Sequence, residues 1–162
     1  MGINLMVAGI GNVLLQDEGI GVYLVRKLKK EISGIQTVEI GTEMWKLSLI
    51  CEKVKNLLIV DAVNYGEKPG SCYFFSEFEI SDSSFSLHDK NFLSEILILK
   101  NLKGYPENFY IFGIEPFKVE WGEGLSDFMK EKFKNILENL KKICYKISQK
   151  GRGNDLLRIE KF

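Results

Sequence analysis

Three side chains that can bind metals or transfer protons, Glu18, Asp61 and His88, occur at points of the sequence where chemistry is expected. Asp61 ends the apolar run LLIV, where a charged residue leaving the core must find partners. Glu18 lies at the start of a predicted amphipathic helix, and His88, the single histidine, follows a serine-rich loop. Two carboxylates and one imidazole suit a divalent metal of intermediate hardness and leave coordination positions open for a substrate.

Each of these residues also has a structural explanation when it is taken alone. A carboxylate in the first turn of a helix, such as Glu18, stabilises the positive end of the helix dipole. A single histidine is more often a surface or hydrogen-bonded residue than a ligand. A functional role is favoured for Asp61, because ligands of parallel sheets bind at the carboxyl ends of the strands. The three residues together favour a metal site more strongly than any one of them.

Two other chemistries fit the sequence less well. The loop GIGNVLLQDEGIG resembles a dinucleotide-binding fingerprint, but the third glycine of that motif would fall at Leu14 and the helix begins too late to reach a phosphate. A serine or cysteine hydrolase would need His88 as its base. Ser86 and Asp89 are neighbours of His88 in sequence rather than members of a triad, and no nucleophile elbow occurs.

The same glycine loop is expected to hold Asp17 and Glu18 at one edge of a sheet. Asp17 precedes the predicted helix and is predicted to cap it. Gly19 and Gly21 flank the acidic pair and lack side chains, which would permit close approach by the backbone of another chain. The loop therefore indicates a peptide or protein partner.

Short apolar runs bounded by turn residues predict strands that alternate with helices. The predicted strands are 3–9, 36–40, 56–61, the edge strand 71–75, and 109–113, after which Pro116 prevents continuation. The predicted helices are 18–32, 43–54, 90–102 and 125–147. This alternation is typical of a three-layer α/β/α domain whose functional groups lie outside the carboxyl ends of its strands.

Length and composition fit one globular domain. The chain has 162 residues, of which 45% are hydrophobic, and 22 basic residues balance 22 acidic ones, so global charge indicates neither nucleic acid nor an anionic membrane as partner. We expect a domain at 1–148 and a mobile or surface-lying tail at 149–162. No signal peptide or membrane span is recognisable, and the three cysteines form no disulfide or zinc pattern. A cytoplasmic protein with reduced, packing cysteines is expected.

Four landmarks occur in order along the chain: GIGNVLLQDEGIG, IVDAV with the turn YGEKPG, SLHD and FGIEP. Over about residues 3–147 this ordered set resembles the hydrogenase maturation endopeptidases, which process the C-terminus of [NiFe]-hydrogenases. The resemblance implies a twisted, mostly parallel five-stranded sheet with helices on both faces. It also implies that Glu18, Asp61 and His88 are the metal-binding and catalytic positions.

The resemblance further implies what the protein acts on. Such a protease removes the C-terminal extension of a nickel-loaded large-subunit precursor, cutting after a basic residue or histidine shortly beyond the last nickel-binding cysteines. The nickel comes with the precursor, so cleavage is a checkpoint on metal insertion, and another divalent metal is expected to occupy the site in isolation. Nickel would act as a Lewis acid or only as an anchor. A non-catalytic nickel-dependent chaperone or binding module is the alternative.

One segment departs from the family pattern. After the second strand, family members commonly have an acidic residue and two glycines before a threonine, whereas this chain has Glu-Ile-Gly-Thr at 39–42. In the family that loop borders the cleft. Together with the bulky Met44 and Trp45 nearby, the change predicts an altered substrate tail or a narrower groove.

Overall fold

The first apolar run of the sequence forms a strand at the interior of a parallel sheet. The computed structural model describes residues 2–77, 90–149 and 160–161, and in it β1 spans Ile3–Ile10. Its last six residues are buried, as expected for a strand covered by helices on both faces. β1 pairs in parallel with β2 (Gln36–Gly41) and β3 (Val54–Ala62).

The described strands form one sheet in the order β2-β1-β3-β5-β4-β6. β5 (Asn108–Ile114) is parallel to β3, whereas β4 (Cys72–Ser76) is antiparallel to β5. β6 (Glu160–Lys161) adds two residues beside β4. The predicted mostly parallel five-stranded sheet is confirmed, with a short sixth strand at one edge. β5 ends two residues before Pro116, as predicted.

One helical layer consists of two amphipathic helices. These are α1 (Ile20–Glu31) and α4 (Asp127–Gln149), which pack on the same face of the sheet. Leu28 of α1 and Leu140 of α4 share a core cluster with Val60 of β3. The apolar stripe predicted over 125–147 is confirmed, and its buried members on α4 include Met129, Ile136, Leu140, Ile143, Cys144 and Ile147.

The opposite face is covered by α2 (Lys46–Ile50) and α3 (Lys90–Lys103). Leu47 of α2 and Ile96 of α3 belong to a second core cluster with Ile59 of β3, so the three-layer architecture is confirmed. The prediction of one helix over 43–54 is wrong, because α2 is shorter. Lys53 has a φ of 62°, a left-handed conformation that cannot continue a helix, and the next residue already begins β3.

The described part of the chain includes no helix that is both long enough and apolar enough to cross a membrane. Cys51, Cys72 and Cys144 are free and buried, which confirms that they are packing residues. Burial raises the pKa of the Cys51 thiol to about 11, so this thiol stays protonated and unreactive at neutral pH. The boundary of the domain at residue 148 and the cytoplasmic location remain predictions.

Candidate metal-binding site

Asp61 lies at the carboxyl end of β3, opposite Gly113 of β5. Its side chain is only 3% exposed. Burial raises the pKa of its carboxyl group to about 8, a hydrogen bond with the Ala62 backbone opposes this rise, and the charge of Glu18 adds a smaller rise. The turn that carries Glu18 packs against β3. Two of the three predicted site residues therefore lie on neighbouring elements of the structure, and their role in binding a metal stays a prediction.

Glu18 reaches this position from a 3-10 turn, Gln16–Gly19, that follows β1 and contacts β3. The turn stands just before α1, so the partly buried Glu18 carboxylate also lies at the positive end of that helix. One carboxylate can interact favourably with both a helix dipole and a metal. The position of Glu18 is therefore compatible with the structural explanation and with the predicted metal-binding role.

His88, the third predicted ligand, lies outside the described residues, as do Ser86 and Asp89. Its place in the site stays a prediction. Within 2–77, 90–149 and 160–161, no three histidine, cysteine, aspartate or glutamate side chains are grouped so that they could hold a metal ion. A third ligand for a metal at Asp61 would therefore come from outside these ranges, as predicted for His88, or from a substrate.

The two carboxyl groups form a site that fits a divalent cation. With its pKa near 8, Asp61 holds a proton at neutral pH, which avoids a buried negative charge beside Glu18. A divalent cation bound by both oxygens would replace that proton and remove the repulsion between the carboxylates. The oxygen donors and their burial therefore favour a metal as the partner of this pair.

The glycines beside Glu18 serve internal packing. A Cβ atom on Gly21 would lie 2.1 Å from the carbonyl oxygen of Val60, and one on Gly19 would lie 2.8 Å from the Cα of Val13. The prediction that these glycines admit another chain is therefore wrong. They allow the start of α1 to approach β3 and the preceding loop, which places the turn bearing Glu18 next to the strand bearing Asp61.

Asp17 is not a helix cap, contrary to the prediction. Gly19 is the N-cap residue of α1, and no side chain caps the helix. The Asp17 side chain is fully buried. Its Oδ2 accepts hydrogen bonds from the Phe117 amide (3.2 Å), the Lys118 amide (2.8 Å) and the Ser126 hydroxyl (2.7 Å), and its Oδ1 accepts one from the Ser126 amide (2.7 Å). Asp17 thereby fixes the loop after β5 to the Glu18 turn.

Glu115 is a third buried carboxylate, and no role is predicted for it from the sequence although it belongs to the FGIEP landmark. It is 4% exposed and accepts hydrogen bonds from the amides of Tyr65 and Gly66 and from the Tyr73 hydroxyl. Burial and the Glu115 charge raise the pKa of Tyr73, which keeps this hydroxyl a donor. Glu115 thus holds the turn that follows Asp61 against the end of β5.

A cavity of about 390 Å³ lies beside the glycine loop. It is lined by residues of two segments, Gly11–Leu14 and Glu39–Glu43, together with Val22 and Arg26. Arg26 pairs with Glu39 at 2.8 Å. Ile40, the residue that replaces a family glycine, is 2% exposed and packs in the core, which accounts for an apolar residue at this position. The predicted change in substrate tail or groove width stays a prediction.

Fold and site together define an α/β protein with a pair of interacting carboxyl groups at the carboxyl edge of a mostly parallel sheet. The sequence model of the hydrogenase maturation protease family matches residues 22–143 of this chain. That range includes Asp61 and His88 and begins shortly after Glu18. The chain belongs to the hydrogenase maturation protease family.

Individual relatives agree with this assignment. Hydrogenase expression/formation protein HoxM of Cupriavidus necator is 31% identical over 93% of this chain and 72% of its own length. HupD of Thiocapsa roseopersicina is 30% identical over 83% of this chain, which spans 64% of that relative.

Solved structures have the same fold. The [NiFe] hydrogenase maturation protease HybD from Thermococcus kodakarensis superposes with a TM-score of 0.75 at 25% identity, covering 88% of this chain and 99% of that one. The hydrogenase maturating endopeptidase HybD from E. coli gives a TM-score of 0.76 at 23% identity, over 90% and 93% of the two chains. The E. coli comparison supports the fold alone.

Proposed function

We propose that this chain is an endopeptidase that removes the C-terminal extension of a nickel-loaded [NiFe]-hydrogenase large-subunit precursor. The observation that carries the proposal is the packing of the Glu18 turn against β3, at whose end Asp61 is buried, in a chain of this family. In the proposal, these carboxylates and the His88 imidazole bind nickel that belongs to the precursor. The proposed ligand set leaves coordination positions for groups of the substrate.

The proton on Asp61 gives a physical reason for selection of the metal-loaded precursor. Without a metal, the protonated Asp61 side chain is neutral and offers a precursor little electrostatic attraction. A precursor that brings a divalent cation displaces the proton and gains two carboxylate ligands, so metal loading is coupled to docking. Cleavage would thereby serve as the proposed checkpoint on metal insertion.

Hydrolysis in this site requires that the scissile peptide lie next to the same carboxyl groups. Nickel would polarise the scissile carbonyl or activate water when bound, or it would act only as an anchor. In both cases Glu18 and Asp61 would hold the metal, and through it the precursor, at this edge of the sheet. We infer that the enzyme acts in the cytoplasm on this protein partner, and that neither nucleic acid nor a membrane takes part.

Incubation of the purified protein with nickel-loaded precursor, followed by gel electrophoresis and mass spectrometry, tests the proposal. The wild type is expected to shorten the precursor, and Asp61→Asn and His88→Ala are expected to lose at least about a hundredfold in rate, because each removes a ligand. Asp127→Asn is the matched control, because the Asp127 carboxylate is fully exposed on α4. This variant should cleave the precursor at the wild-type rate.

The same gel separates the proposal from the alternative of a binding module. A binder would co-migrate with the precursor and leave its mass unchanged. Loss of the tail with wild-type speed in Asp61→Asn would instead show that cleavage does not use this site. Metal-free precursor, run in parallel, should stay intact.

A further inference from the structure

Four large apolar side chains are exposed near the Glu18 turn. Phe117, Val119 and Trp121 lie on the loop after β5 and are 56%, 44% and 80% exposed, and Leu14 on the glycine loop is 47% exposed. We call these four residues the apolar rim. Single exposed apolar residues need no explanation, but a group of them on adjoining segments marks an interaction surface.

The two segments of the apolar rim adjoin through backbone hydrogen bonds. The Gly122 amide donates to the Leu14 carbonyl at 2.9 Å, and the Gln16 amide donates to the Gly122 carbonyl at 3.2 Å. The Asp17 carboxylate adds the bonds to the Phe117 amide and its neighbours. The rim is therefore built in advance of any partner, which lowers the entropic cost of binding.

Packing within the protein leaves most of the rim's apolar surface exposed. The Phe117 ring contacts the Phe128 ring with centroids 4.8 Å apart, yet more than half of Phe117 stays exposed. Lys118 and Glu120, between the rim residues, pair at 3.3 Å and cancel each other's charge. An apolar protein surface fits such a rim better than nucleic acid or an anionic membrane does. Tryptophan is also one of the side chains enriched among those that contribute most to binding at protein interfaces.

The rim is continuous with the proposed metal site. Glu18 directly follows Asp17, whose side chain binds the rim loop, and it stands two residues after Gln16, whose amide binds Gly122. A folded protein that brings a metal to Glu18 would therefore approach the segments that carry the rim. A small metal complex at Glu18 would leave the rim uncovered.

We propose that the apolar rim is the docking surface for the folded body of the metal-loaded precursor, which contacts it through an apolar patch beside its nickel. This inference rests on the proposed function. The rim supplies affinity for the precursor, and the carboxylate pair responds to the metal. Precursor binding and metal recognition are thus carried by different side chains.

The test compares Trp121→Ser with wild type, using nickel-loaded precursor as the probe. The Kd for the precursor and the KM for cleavage are expected to rise at least about tenfold, with kcat and the nickel affinity of the isolated protein unchanged. Leu14→Ser, on the other segment, should shift Kd in the same direction. Tyr145→Ser is the matched control, because Tyr145 is 68% exposed on α4, and it should behave as wild type.

The outcomes separate this inference from the proposed function. Wild-type Kd and KM in Trp121→Ser would overturn the rim alone. If the rim instead binds a second copy of this chain, the wild type is a dimer, and Trp121→Ser dissociates the dimer while precursor binding is unchanged. That result also overturns the inference. If the wild type binds precursor without cutting it and Trp121→Ser weakens that binding, the rim stands and the peptidase proposal falls. If the wild type does not bind the precursor at all, both the docking surface and the proposed function are overturned.

Discussion

At the scale of single residues, Asp61 has the most unusual chemistry in the described structure. Its place at the end of an apolar run predicts a carboxylate that needs a partner, and this much is readable from the sequence. The pKa near 8 arises mainly from burial of the carboxyl group and to a smaller extent from the charge of Glu18, 43 positions away in the chain. Only the fold creates that neighbour.

Asp61→Asn is expected to stabilise the metal-free protein, and the gain should grow between about pH 4 and about pH 8. The carboxyl pKa is about 8 in the folded chain, against an ordinary value of 3.8. As the pH rises through this window, the unfolded chain loses the proton while the folded chain keeps it, so the wild type loses stability. Asparagine does not titrate, so the variant does not lose stability in this way. The loss in the free energy of unfolding of the wild type is at most about 1.4 kcal/mol per pH unit.

Urea unfolding of both proteins with a chelator present, at about pH 5 and about pH 8, measures this difference. The free energy of unfolding of wild type minus that of Asp61→Asn should become more negative at the higher pH. Identical pH dependence of the two proteins would show that Asp61 titrates normally.

At the scale of elements, the strands were predictable and their connections were less so. Short runs such as LLIV, bounded by turn residues, are typical of strands covered on both faces, so β1, β3 and β5 could be predicted. Helix α2 was predicted too long, since the left-handed Lys53 that ends this region has no sequence signature. Gly21 was read as open to a partner because nothing local shows that Val60 approaches it.

The candidate site was predictable as far as strand ends converge at one edge of a sheet. This rule predicts that Glu18 and Asp61 lie at the same edge of the sheet. Asp17 was misassigned because an aspartate before an amphipathic helix has the same local pattern whether it caps the helix or binds elsewhere. Its actual partners, Phe117 and Ser126, are 100 and 109 positions away, beyond any local pattern.

Asp17→Asn is expected to lower the free energy of unfolding by about 2–4 kcal/mol, because an amide NH₂ replaces an acceptor among buried donors. Ser126→Ala removes one of the bonds and the contact of its hydroxyl with the Met129 amide, so about 1 kcal/mol is expected. Chemical denaturation measures both. Unchanged stability in Asp17→Asn would contradict the role of Asp17 as the link between the rim loop and the Glu18 turn.

At the scale of the whole molecule, the described fold supports one edge of the sheet from three directions. The Glu18 turn is held against β3 by Gly21, the loop after β5 is held by Asp17, and the turn after β3 is held by Glu115. Each link joins segments that are distant in sequence. The carboxyl groups and the apolar rim therefore keep their relative positions without a bound partner, as expected of a site that must recognise a metal and a protein surface together.

Calorimetric titration of the isolated protein with nickel measures whether Glu18, Asp61 and His88 bind one metal ion. We expect one nickel per chain for the wild type and for Asp127→Asn, with the affinity lowered at least about tenfold in Glu18→Gln, Asp61→Asn and His88→Ala. Nickel affinity equal to that of the wild type in all three variants would exclude this set of ligands.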